Sequence, residues 1–377
     1  SSQGTAAATF PTTTFTATKS GDILSGTATI AGLPTGITAA QTITGSGAGN
    51  TLTVTLTGTF ASTDYLNTNL TLSGLTIITP LTVDYLIVAG GGGGGGTYHG
   101  GGGGAGGLRT SYGTISPITL NGGSMETSFD SILIATNYYL TVGGGGAGGV
   151  GTNNNPGQAG SNGSNSDFNN IISSGGGYGG PYQLAGGNGG SGGGESGQNT
   201  SPGAGQAVTS PVIQGFNGGP NATSANDGGG GGGAGEIGGT NGQGQGGDGI
   251  YVNILNATNA ATAGVGQVSS SNVYYAGGAG GAPYPADPDR PGGIGGGGVG
   301  KYGQGTAGAN NTGGGGGASE RGGGTNNGAA GGSGVVILRY SSAYTISGLT
   351  EATGSPFTEG SEKVSVFTTG TGNIQFN

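Results

Sequence analysis

VDYLIVAGGGGGGG, residues 83–96, decides the reading of this chain: an apolar strand runs without a break into seven glycines. GGSGVVILRY at residues 331–340 is the mirror arrangement, glycines running into an apolar strand. Runs of this kind also occur at Ser131–Val142 and Ile250–Leu255. Each is short, rich in Val, Ile, Leu and Tyr, and bounded by Gly, as buried strands are. Between positions 83 and 340 lie 87 of the 102 glycines of the 377-residue chain. The zone has no Gly-X-Y period and few prolines, which excludes a collagen triple helix. Glycine loses more backbone freedom on folding than any other residue, so order here needs a dense compensation. Extended backbones without Cβ atoms can approach closely and satisfy one another's N–H and C=O groups. The sequence therefore predicts stacked extended polyglycine segments framed by a β-sheet of the apolar strands. Asn153–Asn155, Asn310, Asn311, Asn326 and Asn327 lie beside glycines, and Asn tolerates left-handed turns.

The flanks differ in composition. Residues 1–82 hold ten glycines and are dominated by Thr, Ala, Leu and Ile. In TLTVTLT at 51–57 apolar residues alternate with Thr, the period of a half-buried strand. GLPTG at 32–36 and GSGAGN at 45–50 read as turns, which predicts a small antiparallel β-sandwich. Residues 341–377 regain strand character at Tyr344–Leu349, Lys363–Phe367 and Ile374–Phe376, around a turn-rich stretch at Glu351–Glu362. The predicted class is all-β with essentially no helix. The predicted domains are a sandwich at 1–82, a glycine-rich β domain at 83–340 and a C-terminal strand segment at 341–377.

Composition removes whole classes of function. There is no Cys and one His, so disulfides, thiolate nucleophiles and Cys- or His-built zinc sites are excluded. A net charge of −9 with seven Lys+Arg argues against a nucleic-acid partner. No apolar run approaches the ~18 residues of a membrane-spanning helix. Ser1 in place of an initiator Met is expected of a processed product or of a chain whose start lies elsewhere. No enzyme and no cofactor is expected.

Several motifs invite chemistry. GGGGVGK at 295–301 matches a phosphate-binding loop up to Lys301, but Tyr302 stands where Ser or Thr would hold magnesium. Asp287 and Asp289 offer calcium ligands, although a proline-stiffened surface loop explains them as well. GDGI at 247–250 is half of one calcium-binding repeat, and one copy builds no site. His99, beside Tyr98, reads as an exposed loop residue, because no GxSxG elbow accompanies it. The pairs Tyr138-Tyr139 and Tyr274-Tyr275 read as strands with one ring buried. Tyrosine on glycine-rich loops is a binding chemistry, since a rigid ring sits on an adaptable backbone. Asn-x-Ser/Thr sequons occur at Asn69, Asn162, Asn199, Asn221, Asn256 and Asn310, about as often as chance gives in such a composition.

Two resemblances add to this. Gly32–Ala39, Thr51–Phe60 and Asn69–Leu72 resemble immunoglobulin-like modules of bacterial surface adhesins, in which a further strand precedes this core. The order VDYLIVAGGGGGGG, YLTVGG at 139–144, GSNGSNSDF at 160–168 and GGSGVVILRY resembles the glycine-rich domain of bacterial and phage surface and tail-fibre proteins. The resemblance implies exposure on a cell or virion surface, and no single activity. The leading expectation is a subunit of an extracellular homopolymeric filament, assembled head-to-tail by donor-strand complementation. Its donated strand would come from Lys363–Phe376, with Val364, Val366, Phe367, Ile374 and Phe376 as self-assembly residues, or else from Ser1–Thr18. The alternative is a tail-fibre or cell-surface adhesin, whose loops present Tyr and Asn to a receptor glycan or surface protein.

Overall fold

The computed structural model describes residues 9–18, 23–33, 36–45, 50–59, 71–74, 76–78, 80–96, 98–113, 126–151, 157–197, 205–220, 226–239, 244–285, 287–321 and 326–377. The chain is all-β, with one short α-helix, Ala257–Ala263, among the described residues. It divides into two compact units, Ser1–Thr82 with Asp130–Ile134, and Val83–Phe129 with Ala135–Asn377.

In the first unit Thr9–Thr18, Thr51–Thr59 and Ile37–Thr44 form an antiparallel sheet in that order. The Thr alternation sends Leu52, Val54 and Leu56 inward, where they join Leu24, Ala28 and Ile37 in one core. Two short ladders, Ile23–Ser25 with Thr76–Ile78 and Thr29–Ala31 with Thr71–Ser73, complete it. Side-chain amides extend this pairing. Asn50 Nδ2 donates to the Leu24 carbonyl at 2.8 Å, while its Oδ1 accepts from the Leu24 N–H at 2.7 Å. Gln41 brackets Ala28 in the same way. Thr9–Thr18, expected as an alternative donated strand, is thus paired within its own unit. Residues 1–8 of that segment lie outside the described residues.

The second unit is organised by Val335–Ser341, which lies between Leu81–Val88 and Glu362–Phe367, antiparallel to both. Its unbroken apolar run is buried on both faces, as a core strand's must be. Val335 and Ile337 face a cluster with Leu86, Val364, Val366, Ile250, Val273 and the helix alanine Ala260. On the other face Tyr340 packs edge-on to Phe376 at 5.3 Å, and Tyr138 lies 6.2 Å from the same ring. Phe376 and Tyr138 belong to a second sheet, ordered Ile171–Ser173, Ser166–Phe168, Tyr138–Thr141, Thr371–Phe376, Ile346–Ser347. The predicted strand Ser131–Val142 is broken by a turn in which Ala135 takes φ 56°, and Ile250–Leu255 keeps only Ile250–Tyr251 as strand. The helix is capped by Asn256 Oδ1, which accepts from Asn259 N at 2.9 Å, and it ends at Gly264 with φ 66°.

Residues 341–377 therefore do not stand apart. Their strands join the two largest sheets of the second unit, and Arg339 fixes the hairpin through Glu362 (2.7 Å) and Glu359 (2.8 Å). Glu359 also accepts from Asn256 N and Asn259 Nδ2, tying the helix start to the same hairpin.

The glycine runs explain the rest of the unit. Gly90 and Gly93 donate to Ser164 and Ser161, Gly91 and Gly94 to Gly332 and Ala329, and Gly92 and Gly95 to Gly104 and Gly101, all at 2.9–3.0 Å. The partner changes with a period of three, the repeat of a polyproline II helix, whose N–H and C=O groups all point outward. The carbonyls follow the same rule. Gly90 and Gly93 accept from Gly176 and Gly179, Gly91 and Gly94 from Gly146 and Gly149, and Gly92 and Gly95 from Gly316 and Ser319. One run is thus surrounded by six, three to which it donates and three from which it accepts. Gly101–Gly107 repeats the pattern, donating in turn to segments 174–180, 229–232 and 313–316.

Packing this close requires the missing Cβ. A Cβ on Gly92 would stand 2.1 Å from the Gly177 carbonyl oxygen, and one on Gly93 would stand 1.9 Å from that of Ala147. Both neighbours are backbone held by their own hydrogen bonds, so neither can swing away. Gly144, in contrast, is exposed and has nothing within 4 Å of a built Cβ. Gly92→Ala is expected to cost about 3 kcal/mol or more, at or beyond the upper end of overpacking effects, while Gly144→Ala is expected to lie within about 0.5 kcal/mol of wild type. Urea unfolding of both variants measures this, and equal midpoints would remove close packing as the reason for the glycines.

A buried polar strip provides a pH handle. Burial raises the Glu351 carboxyl above its ordinary value, partly offset by hydrogen bonds from Ser355 and Ser365. Tyr340, on the same strip, donates to or accepts from Ser365 at 2.8 Å, and burial pushes its hydroxyl up to about 12. A carboxyl whose folded pKa is raised stabilises the fold below its unfolded pKa, and that contribution is lost as pH rises through the folded value. Glu351→Gln should therefore raise the unfolding temperature near pH 7, with the gain shrinking toward about pH 4. Thermal scans across that range would refute the assignment if the difference were independent of pH.

Candidate functional site

Several glycine runs have one end in a strand and the other in a turn, and this polarity gathers their turns. Gly90–Gly96 leaves Leu81–Val88 and ends at Tyr98-His99, and Gly100–Gly107 returns to Leu108–Thr110. Gly175–Gly180 leaves Ile171–Ser173 and ends at Pro181–Leu184, and Ala276–Ala282 leaves Asn272–Tyr275 and ends at Tyr284. Because the runs are hydrogen-bonded side by side, their turns meet at one end.

What meets there is aromatic. The Tyr98 ring lies 6.2 Å from His99 and 6.0 Å from Tyr182, both edge-on. His99 lies 6.2 Å from Tyr182 and stacks at 6.3 Å on Tyr284. The Arg321 guanidinium sits 5.1 Å over the Tyr98 ring, a cation–π distance. Around this centre Tyr284, Leu184 and Tyr302 are 43%, 56% and 49% exposed. A rim of rings half in solvent, fixed at its base, suits polar ligands with apolar faces.

Two buried acids hold the rim. Glu320, 2% exposed, accepts from the His99 backbone N–H at 2.5 Å. His99 Nδ1 lies 3.0 Å from the same oxygen, an ion-pair distance without aligned hydrogen-bond geometry. Asp227, 3% exposed, accepts from Tyr284 N at 2.6 Å and pairs with Arg290 Nη2 at 2.9 Å. Each acid fixes the backbone of a ring-bearing turn. Tyr98, His99 and Gln183 all take positive φ (52°, 57° and 58°), a conformation that costs a non-glycine residue energy and marks turns fixed by their surroundings.

The sequence-predicted residues fall out as follows. His99 is 6% exposed and forms the centre of the cluster, not the exposed loop residue expected, because the turn folds its ring under Tyr284. Val364, Val366, Phe367, Ile374 and Phe376 are all 0% exposed inside their own chain. Freeing them would uncover five side chains at about 1.5–3 kcal/mol each, on the order of 10 kcal/mol in total. The glycine loop at 295–301 does not cradle an anion. Gly295 and Gly296 donate to Gln267 Oε1, Gly298 to Gly315 and Gly300 to Arg290, so these amides are already engaged. Asp287 pairs with Arg290 at 3.2 Å and Asp289 approaches Lys301 at 3.9 Å, while Asp248 accepts from Ile294 N. Among the described residues no group of three His, Cys, Asp or Glu is placed to hold a metal, and no helix is long and apolar enough to cross a membrane. Tyr138 and Tyr275 are the buried members of their pairs. Of the sequons, Asn162 and Asn256 use their amides in hydrogen bonds and Asn310 is exposed. Asn69, Asn199 and Asn221 lie outside the described residues.

Tyr182, Tyr284, Glu320, Arg321 and Asp227 were not singled out from sequence. The available signal was scarcity: with sixteen Asp+Glu in the whole chain, an acid inside the glycine zone is worth asking about.

Fold and rim together define an all-β protein whose body is a hydrogen-bonded bundle of glycine helices. Residues 67–341 match the family model of the glycine-rich domain, and the chain belongs to that family. No curated protein and no solved structure matched the chain.

Glu320→Ala should leave the His99 amide buried without its acceptor, at a cost of about 1–3 kcal/mol. Hydrogen exchange at that amide should then speed up at least tenfold, with the glycine runs unchanged. An unaltered rate would mean that the turn is held by something other than Glu320.

Proposed function

We propose that the protein is a non-catalytic recognition module of a cell or virion surface, binding a surface glycan or protein through the aromatic rim at the turn end of its glycine bundle. The observation that carries this is the convergence of Tyr98, Tyr182 and Tyr284 from three separate turns around one buried histidine. Several of these rings stand partly in solvent above buried supports. A rigid base with amphipathic rings loses little conformational entropy on binding, which favours recognition. The extracellular setting is proposed on the resemblance of the sequence motifs to surface and tail-fibre proteins.

Filament assembly is the less favoured reading. Donor-strand exchange starts from a strand without a partner, whereas Thr9–Thr18, Glu362–Phe367 and Thr371–Phe376 are each paired in cis. Recognition through the rim needs no such exchange.

The test is binding of fluorescently labelled protein to a panel of bacterial cells, with Tyr98→Ala, Tyr182→Ala and Tyr284→Ala compared with wild type. At least one Tyr variant should lose tenfold or more in affinity while keeping the wild-type unfolding temperature. Retention of full binding by all three would overturn the assignment of the rim.

A further inference from the structure

The turn that supplies Tyr284 also forms the wall of a cavity on the flank of the bundle. The cavity has a volume of about 440 Å³ and is lined by Glu236, Gln245, Asp248, Asp289, Arg290 and backbone of 288–292. This size lies within the usual range of small-molecule sites, about 300–1,000 Å³. It is joined to the rim through a short polar relay. Arg290 lines the cavity, its Nη2 bonds Asp227 Oδ2 at 2.9 Å, and Asp227 Oδ1 accepts from Tyr284 N. We propose that this cavity is a second subsite for the rim's ligand, taking a hydroxyl-rich sugar residue that is neutral or carries an amine. The proposal rests on the recognition reading above and names the chemistry of that ligand.

The charge census selects the class. Glu236, Asp248 and Asp289 line the cavity, and Asp227 and Asp287 pair with its Arg290. Against these five carboxylates stand Arg290, already bonded to Asp227 and Asp287, and Lys301, 3.9 Å from Asp289. The balance is about three negative charges, which opposes a phosphate, sulfate or carboxylate on the ligand. An apolar ligand finds no Leu, Ile, Val or aromatic wall here, only Pro288 and Pro291. Carboxylates are acceptors without donors, and each can take two neighbouring hydroxyls at once. Gln245 adds both a donor and an acceptor. A pyranose ring presents that combination, with hydroxyl donors around its edge and C–H faces for the proline rings. An oligosaccharide lying from the Tyr284 ring into the cavity would engage both places through one loop.

The experiment uses the full chain on an array of neutral glucose, galactose and mannose oligosaccharides, unsubstituted hexosamine oligosaccharides, and sialylated and sulfated glycans. Neutral or amino-bearing glycans should bind and acidic ones should not. Titration of the best binder should then weaken at least tenfold in Asp289→Ala and in Glu236→Ala, both exposed positions. Circular dichroism and the unfolding temperature should stay at wild-type values, which separates lost binding from lost fold. A preference for acidic glycans, no glycan binding, or full affinity in both cavity variants would each overturn the subsite. If the cavity variants bind normally while Tyr284→Ala does not, the subsite fails and the rim stands. If the Tyr variants leave cell binding intact, it is the recognition reading that fails.

Discussion

The structure depends on one constraint: in the glycine bundle, main-chain amides must reach acceptors on neighbouring segments, for the most part carbonyls, and no Cβ may stand between them. Gly90–Gly95 meet six neighbours in two threefold sets, and every donor in that stretch finds its acceptor at 2.9–3.0 Å. An ordinary side chain would stand within about 2 Å of a neighbour's carbonyl at most of these positions. The backbone conformation is open to any residue, since positive φ values fall largely in turns and not along these runs. Glycine is needed here for proximity, and conformational licence matters only at places such as Gly264, where φ 66° closes the helix.

This solution replaces a side-chain core by a main-chain one. Glycine surrenders the most entropy on ordering, so a bundle of it would be a poor folder by itself. The apolar sheets supply what the glycines lack. Val335–Ser341 buries six successive residues, anchoring the last run, while Leu81–Val88 beside it anchors the first. The C-terminal strands Glu362–Phe367 and Thr371–Phe376 are each an interior strand of one of the two sheets that meet at Tyr340. Their apolar residues thus belong to the framework that sets the registers of the glycine runs. This accounts for strand character at the end of the chain without any partner molecule.

The frame was legible in the sequence because its signals are local. The apolar strings at 85–89 and 335–338, and the Thr alternation at 51–57, each announce burial through their own spacing. Stacked extended glycine segments followed from the absence of any other means to satisfy those amides. The rim was not legible, because it is produced by register. Tyr98, Tyr182 and Tyr284 lie far apart in the chain and meet only because hydrogen bonds align the runs that carry them. His99 was misread for the same reason: its burial depends on Tyr284 and Glu320, which no local window contains. The C-terminal apolar residues were correctly taken as strand-forming, but spacing alone does not say whether a strand is accepted by its own sheet or by another chain's.

The same physics that hides the rim from sequence also makes it a suitable place for recognition. Within the runs, sequence freedom is small: most inward positions exclude a Cβ, and the buried exceptions, such as Ala105 and Ala279, carry only a methyl group. At the strand end, freedom is limited by the core. Only at the turn end can side chains of any size be carried without disturbing the lattice, since a turn there has only to lead the chain from one run to the next. Glu320 and Asp227 then convert this freedom into definite geometry, each spending a buried carboxylate on the backbone amide of a ring-bearing turn. A buried acid without such partners would be costly, so its presence in a chain with 6% charged residues argues for a demand on the shape of those turns beyond folding.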